Sequence, residues 1–131
     1  MTVLTVGVFD LLHYGHFELF RRAKELAEGG DLIVAVQLDE FVLKYKPQTV
    51  LRYPWNVRVE MIRSLRSVDR VVPYGDIDVS IKQYDFDVFA IGGDQLHSGF
   101  QRAVKWCEEH GKRVVRMSRT PGISSSELRG A

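Results

Sequence analysis

Two histidines three residues apart, His13 and His16, are the side chains of this sequence whose type and spacing most directly suggest chemistry. They stand where a helix begins after an apolar run, with Gly15 between them. Free backbone N–H groups and the positive end of the helix dipole make such a place favourable for an anion. Residues three apart face the same way on a helical turn, so both rings could bind one phosphate chain. Either histidine alone could equally cap the helix or pack in the core.

Four basic residues could neutralise further phosphate charge. Lys44 and Lys46 are expected in a polar loop after the second strand. Arg58 and Arg66 are eight apart, which predicts that they share one side of a helix. Any one of them alone is typical of a solvated surface charge, so only the joint pattern points to a phosphate site.

A glycine-rich turn follows the fourth apolar run. Gly92, Gly93 and Asp94 stand where a ligand crevice is expected to open, and the two glycines allow close approach of a ligand to the backbone. The turn is predicted to line a nucleotide or acceptor pocket. The alternative is an ordinary turn in which Asp94 caps the next helix.

The elements that must position these residues alternate along the chain. Short runs rich in β-branched residues predict buried strands over residues 3–8, 32–36, 68–73, 88–91 and 113–117. Amphipathic spacing and punctuation by proline and glycine predict helices over residues 15–27, 54–65 and 101–110, with a last helix starting near Ser124. Strands that alternate with helices imply right-handed crossovers and a small doubly wound α/β sheet. Ligands of such folds bind at the carboxyl ends of the strands.

Length and charge narrow the function classes. A chain of 131 residues is expected to form one domain, residues 1–131. Its net charge of +1 is not the footprint of a nucleic-acid-binding protein. The single cysteine, Cys107, cannot form an internal disulfide and is expected to be buried. No signal pattern and no apolar run of about 20 residues is present, so membrane insertion is not expected and the cytoplasm is the predicted compartment.

Two segments carry a resemblance to a known family. Residues 7–16, Gly-Val-Phe-Asp-Leu-Leu-His-Tyr-Gly-His, match the G-x-F-D-x-x-H-x-G-H pattern of the cytidylyltransferase-like nucleotidyltransferases. Residues 119–126, Arg-Thr-Pro-Gly-Ile-Ser-Ser-Ser, are similar to that family's second signature, R-T-x-G-I-S-T-T. The resemblance implies a Rossmann-like three-layer fold with a five-stranded parallel sheet, and a homodimer. It also implies that CTP and a phosphorylated small alcohol, with glycerol 3-phosphate as the expected acceptor, give a CDP-alcohol and pyrophosphate with Mg²⁺.

The chemistry of that reaction needs no protein nucleophile. An acceptor phosphate is already ionised at neutral pH, so catalysis consists of alignment and charge neutralisation. The resemblance implies catalytic roles for His13, His16, Lys46 and Arg66, and acceptor contacts for Asp10, Lys44 and Arg58. The implied nucleotide-binding residues are Val8, Phe9, Gly15, His16, Gly92, Asp94, Arg119, Thr120, Ile123, Ser124 and Ser125. Mg²⁺ is expected to be bound through the triphosphate, with Asp10 or Asp94 as its candidate protein contacts.

One segment departs from the family pattern. Residues 92–95 read Gly-Gly-Asp-Gln where the pattern reads G-D-D-W, and His97 follows. The acceptor therefore stays open among glycerol 3-phosphate, ethanolamine phosphate, another alditol phosphate and a sugar phosphate, and ATP is an alternative donor. A nucleotide-binding module without turnover is a further alternative. The retained histidines, Lys46 and Arg66 weigh against it, because such groups are useful chiefly in the transition state.

Overall fold

The computed structural model describes residues 1–92 and 95–118, and these form a parallel sheet flanked by helices. The strands are β1 (Val3–Gly7), β2 (Leu32–Gln37), β3 (Arg70–Tyr74), β4 (Val88–Gly92) and β5 (Arg113–Met117). The helices are α1 (Tyr14–Leu26), α2 (Asp39–Tyr45), α3 (Trp55–Arg63), α4 (Ile77–Ser80), which continues into a 3₁₀ turn (Ile81–Gln83), and α5 (Ser98–Glu109).

The strand order is β3-β2-β1-β4-β5. The chain adds β2 and β3 on one side of β1 and then crosses over to add β4 and β5 on the other side. β1 pairs with β2 along its whole length, from Val3 with Leu32 to Gly7 with Val36. In contrast, the described pairing of β1 with β4 consists of Val3 with Val88 and Leu4 with Phe89. The carboxyl ends of β1 and β4 thus separate, which opens a crevice at the point where doubly wound folds bind their ligands.

The two faces of the sheet are covered by different helices, as alternation along β1 requires. Val3 belongs to the apolar cluster under α1 and α3, whereas Leu4 and Val6 belong to the cluster under α4 and α5. The first cluster takes Phe20, Ala23, Val59 and Ile62 from its helices; the second takes Ile77, Phe100, Ala103 and Cys107. Burial raises the pKa of the Cys107 thiol to about 11, which fits the predicted apolar role of that residue.

The predicted three-layer α/β fold with five parallel strands is confirmed, with strand bounds that shift by one or two residues, and the larger differences lie in the helices. The segment predicted as a polar loop contains α2, so Lys44 lies in its last turn and Lys46 is its C-cap. α3 ends at Arg63, so the prediction that Arg58 and Arg66 share a helix side is wrong. α5 starts at Ser98, three residues earlier than predicted, because His97 caps it. The short α4 was not predicted, and the helix expected near Ser124 lies outside the described residues.

Candidate active site

The two histidines of the sequence motif lie together at the start of α1. His13 is the N-cap, and its ring centroid is 3.8 Å from that of His16, with the two rings inclined by 21°. The backbone N–H of Gly15 donates to Nδ1 of His13 at 3.1 Å. The backbone N–H of His13 donates to Nδ1 of His16 at 3.3 Å. The histidines thus form a capping box, in positions more often held by serine or threonine and glutamate.

These capping bonds set the tautomer of both rings. Because each Nδ1 accepts a backbone proton, each neutral imidazole carries its own proton on Nε2. Burial, together with the charge of His13, lowers the pKa of His16 from 6.5 to about 4, so this ring is neutral at pH 7. The helix start therefore combines imidazole N–H donors with backbone N–H groups and the helix dipole, which together favour a phosphate chain.

The buried ring of Phe9 packs against the ring of His16. Phe9 is 7% exposed, and its ring lies edge-on to His16 with centroids 5.3 Å apart and edge-on to Phe20 at 5.1 Å. Its φ of 54° is left-handed, which is uncommon for an aromatic residue. The ring of Phe9 packs against His16 and limits how that ring can turn, and the contact of Phe9 with a nucleotide stays a prediction.

Asp10 joins the motif loop to the segment before α3. It is 3% exposed, and its carboxylate accepts the backbone N–H of Arg52 at 2.9 Å and that of Tyr53 at 3.1 Å. The carboxylate therefore fixes the position of one loop relative to another, a role that the sequence did not indicate. Its contact with an acceptor or with Mg²⁺ stays a prediction.

Arg58 is buried within the same part of the molecule. Its side chain is fully enclosed, and its guanidinium donates to the carbonyl of Val8 at 2.7 Å, to the carbonyl of Tyr53 at 3.1 Å and to the carboxylate of Asp39. This placement argues against the predicted contact of Arg58 with an acceptor phosphate, because protein oxygens already occupy Nε, Nη1 and Nη2. Arg58 instead fixes Val8, one of the predicted nucleotide-binding residues.

Gln95 spans the crevice between β4 and β1. Its side-chain amide donates to the carbonyl of Val6 at 3.4 Å, and its Oε1 accepts the backbone N–H of Gly92 at 3.0 Å. Gly92, a predicted nucleotide-binding residue, is therefore held at the mouth of the crevice. Gly93 and Asp94 lie outside the described residues, as do Arg119, Thr120, Ile123, Ser124 and Ser125.

The two lysines predicted for the site differ in their surroundings. Lys44 Nζ lies 3.0 Å from Asp76 in an ion pair. Lys46 is exposed and makes no ion pair with any described carboxylate. Lys46 is therefore better placed than Lys44 to meet an anion from solution.

Arg66 lies far from the histidines within one chain. It is exposed and precedes β3, and the neighbouring Asp69 donates its N–H to the carbonyl of Leu32, the first residue of β2. Arg66 is thus at the amino edge of the sheet, whereas His13 and His16 are at the carboxyl edge. A strand of five residues separates the edges by roughly 17 Å. Within one chain, the structure does not bring Arg66 to the predicted triphosphate site.

Residues 1–92 and 95–118 contain no metal site formed by protein side chains alone. No three His, Cys, Asp or Glu side chains gather there as metal ligands. The binding of Mg²⁺ through the triphosphate stays a prediction. No helix within the described ranges is long and apolar enough to cross a bilayer.

Three contributors to the site were not predicted from the sequence, namely Asp39, Gln95 and the capping function of His97. Asp39 also accepts the backbone N–H of Trp55 at 3.3 Å and so links α2 to α3. A signal existed for Asp39 and Glu40, since acidic residues favour the first turn of a helix. No local pattern indicates that the amide of Gln95 reaches β1.

The chain is similar to known proteins over most of its length. The family model described as cytidylyltransferase-like matches residues 4–131. The glycerol-3-phosphate cytidylyltransferase of Staphylococcus aureus is 39% identical over 97% of this chain and 91% of its own length. The FAD synthase of Thermococcus kodakarensis is 44% identical over 72% of this chain and 63% of its own length. A solved lipopolysaccharide core biosynthesis protein from Thermoplasma volcanium superposes with a TM-score of 0.76 at 27% identity, covering 92% of this chain and 98% of that one.

Proposed function

Because the chain belongs to the cytidylyltransferase-like family of nucleotidyltransferases, we propose that it condenses CTP with glycerol 3-phosphate to give CDP-glycerol and pyrophosphate. The observation that carries the proposal is the stacked His13–His16 pair at the start of α1, beside the crevice between β1 and β4. The identity with the staphylococcal enzyme over nearly the whole chain supports this choice of donor and acceptor.

The reaction forms one P–O bond and breaks another. A phosphate oxygen of the acceptor attacks the α-phosphorus of CTP, and the bond from that phosphorus to the β-phosphate oxygen breaks, which releases pyrophosphate. The attacking oxygen is already ionised near pH 7, so no side chain has to remove its proton. The chain therefore needs to align two anions and to stabilise the charge that develops between them.

His13 and His16 stabilise that charge by donating from Nε2. Their Nδ1 atoms are held by the backbone of the same turn, so the rings are oriented before the nucleotide binds. A neutral His16 keeps the proton on Nε2 and can donate a hydrogen bond from it to a phosphate oxygen. Mg²⁺, with Asp10 or Asp94 as its candidate protein contacts, would neutralise part of the phosphate charge when bound. Lys46 supplies a further positive charge, and Arg119 with Ser124 and Ser125 is assigned to the triphosphate by the resemblance of residues 119–126 to the family signature.

A second candidate is adenylyl transfer to a flavin phosphate. It is favoured by the 44% identity with an archaeal FAD synthase over residues that make up 72% of this chain. The same phosphate-binding turn would serve both reactions, so the difference lies in the groups around the base and the acceptor.

One experiment separates these candidates. The protein is incubated with Mg²⁺, each of the four nucleoside triphosphates in turn, and a panel of glycerol 3-phosphate, ethanolamine phosphate, a sugar phosphate and FMN, and the products are weighed by mass spectrometry. CDP-glycerol as the main product supports the proposal, and FAD as the main product replaces it with the second candidate. The variant His16→Ala is expected to lower kcat by about 10²-fold or more, as for loss of a preorganised donor, whereas His110→Ala at the far end of α5 serves as the matched control.

A homodimer is part of the proposal. β3 is an edge strand, and beside it lies a cavity of about 230 Å³ lined by Arg63, Val68, Asp69, Arg70 and Val71. Arg66 stands next to this surface. A second copy docked there would bury the free edge of β3 and would bring Arg66 close to the other chain. Light scattering of the purified protein tests the oligomeric state.

A further inference from the structure

A second group of polar side chains meets across the carboxyl edge of the sheet, between α2 and α5. The ring of Tyr45, in the last turn of α2, stacks on the ring of His97 with centroids 6.0 Å apart and an inclination of 20°. His97 also lies edge-on to Phe100 at 4.5 Å. The backbone N–H of Gly99 donates to Nδ1 of His97 at 3.1 Å. The neutral His97 ring therefore carries its proton on Nε2. The contacts with Tyr45, Phe100 and Gly99 hold the ring in a fixed orientation.

The charges around this ring are not equivalent. Lys44 is paired with Asp76, and Arg102 is paired with Asp78 at 2.8 Å. Lys46, next to Tyr45 in the chain, makes no such pair with the described carboxylates. Burial first, and then the charges of Arg102 and Lys46, lower the pKa of His97 despite the opposing effect of Asp78. Lys46 thus has no ion-pair partner among the described carboxylates and adds positive charge in the neighbourhood of the His97 ring.

This group lies beside the crevice, opposite the His13–His16 pair. Gln95, two residues before His97, bonds to the carbonyl of Val6 where β1 separates from β4. α1 covers one face of the sheet and α5 covers the other, so the helix starts that carry the two histidine groups flank the crevice from opposite sides. Two phosphates that react with each other must lie side by side, and the crevice offers one flank to each.

We propose that Lys46 and Nε2–H of His97 together bind the phosphate of the acceptor, with the Tyr45 ring as the wall behind them. This inference rests on the proposed function, since it assigns the second substrate of the same reaction. A phosphate monoester carries strong acceptor oxygens and a double negative charge, and an ammonium with a fixed N–H donor matches both. Lys44, which the sequence predicted for this task, is occupied by Asp76.

The substitution His97→Asn tests the proposal without removing the helix cap, since asparagine caps helices well. In steady-state kinetics with MgCTP and glycerol 3-phosphate, KM for glycerol 3-phosphate is expected to rise about tenfold or more, as for loss of a hydrogen bond to a charged group, while KM for CTP stays within about twofold. Lys46→Met is expected to act in the same direction. His110→Asn, at the other end of α5, is the matched control and leaves both constants unchanged. An unchanged KM for glycerol 3-phosphate in His97→Asn, or equal rises in both KM values, overturns the proposal.

A binding measurement separates failure of this inference from failure of the proposed function. Glycerol 3-phosphate is added to the protein without nucleotide, and the imidazole signals are followed by NMR. The His97 signal is expected to shift saturably in the wild type and much more weakly in Lys46→Met, with the His110 signal unmoved. A shift of His97 in a protein that transfers no cytidylyl group keeps the phosphate subsite and rejects the reaction. Turnover without a His97 response keeps the reaction and rejects the subsite.

Discussion

The ring of Phe9 occupies the space where a side chain on Gly7 would begin. A Cβ at Gly7 would lie 2.7 Å from Cζ of Phe9 and 2.9 Å from Cε1, closer than carbon atoms approach in proteins. Gly7 ends β1, and Phe9 folds back over it with a left-handed backbone. The absence of a side chain at Gly7 thus allows the turn that places Phe9 under His16.

Gly7→Ala is expected to impair the site without unfolding the protein. The Phe9 ring must move by some tenths of an ångström or more, and it would carry His16 with it through their edge-on contact. We expect a stability loss of about 1–3 kcal/mol, typical of overpacking, and a drop in kcat of at least about tenfold. Urea unfolding and steady-state kinetics measure the two effects.

The double variant Gly7→Ala/Phe9→Leu provides the control. Leucine lacks the ring atoms that the new Cβ would meet, so the cost of Gly7→Ala measured in the Phe9→Leu background should be smaller than in the wild type. Equal costs in the two backgrounds would show that the contact between these residues is not what excludes a side chain at Gly7.

Arg58 gives a prediction about stability. In Arg58→Met, the carbonyls of Val8 and Tyr53 and the carboxylate of Asp39 lose their donor. Loss of the hydrogen bonds to the enclosed guanidinium costs about 1–3 kcal/mol, because the Asp39 carboxylate is 40% exposed and can be hydrated, and we expect a lower midpoint of urea unfolding.

Arg63→Met is the matched control for this prediction. Arg63 lies five residues further on, is exposed, and its guanidinium lies 3.8 Å from the exposed Glu60. Its replacement should change stability by less than about 0.5 kcal/mol. If Arg58→Met is as stable as Arg63→Met and only the KM for the acceptor rises, Arg58 is a substrate ligand after all.

The strands and the histidine pair could be predicted because their signals are local. Parallel strands covered on both faces are continuous apolar runs, and β1, β2 and β4 are buried along almost their whole length. The positions of His13 and His16 follow from three residues of spacing at the start of a helix. The helix α2 escaped prediction because seven residues without a side-chain cap carry little local signal.

The buried polar contacts could not be predicted because they join distant parts of the chain. Arg58 meets Asp39 from 19 residues away and Val8 from 50 residues away. The sequence shows the charges of Arg58 and Asp10 but not which partners they find. The family resemblance implies acceptor contacts for both residues, whereas the structure shows them bound to other parts of the protein.

The pH dependence of stability is expected to report the burial of His16. Its pKa is about 4 in the folded protein and 6.5 when exposed, so below pH 6.5 the unfolded chain takes up a proton that the folded chain does not. Stability is therefore fully present above pH 6.5 and falls as the pH drops towards 4. At pH 5 the loss amounts to about 2 kcal/mol relative to pH 7.

His16→Asn isolates this contribution, because asparagine can still accept the N–H of His13 but does not titrate in this range. Urea unfolding at pH 7 and pH 5 should show a smaller decrease for His16→Asn than for the wild type, and His110→Asn should behave like the wild type. Parallel decreases in all three proteins would mean that the His16 ring is protonated in the folded state at pH 5.

Arg66 allows a test of whether two copies share a site. The edge-to-edge separation prevents Arg66 from reaching the histidines of its own chain, so a catalytic Arg66 has to act on a second copy. His16→Ala and Arg66→Ala chains are expressed together with different tags, and the mixed dimer is purified. If Arg66 acts across the interface, one of its two sites keeps both His16 and Arg66, and about half of the wild-type kcat per dimer is expected.

Each parent variant alone defines the background for this measurement. Both homodimers should be nearly inactive, because every site in them lacks one of the two side chains. A mixed dimer as inactive as its parents would place Arg66 and His16 in the same chain's site, which the position of Arg66 at the amino edge of the sheet contradicts. An Arg66→Ala homodimer with full activity would remove Arg66 from the mechanism and leave the charge neutralisation to Lys46 and the histidines.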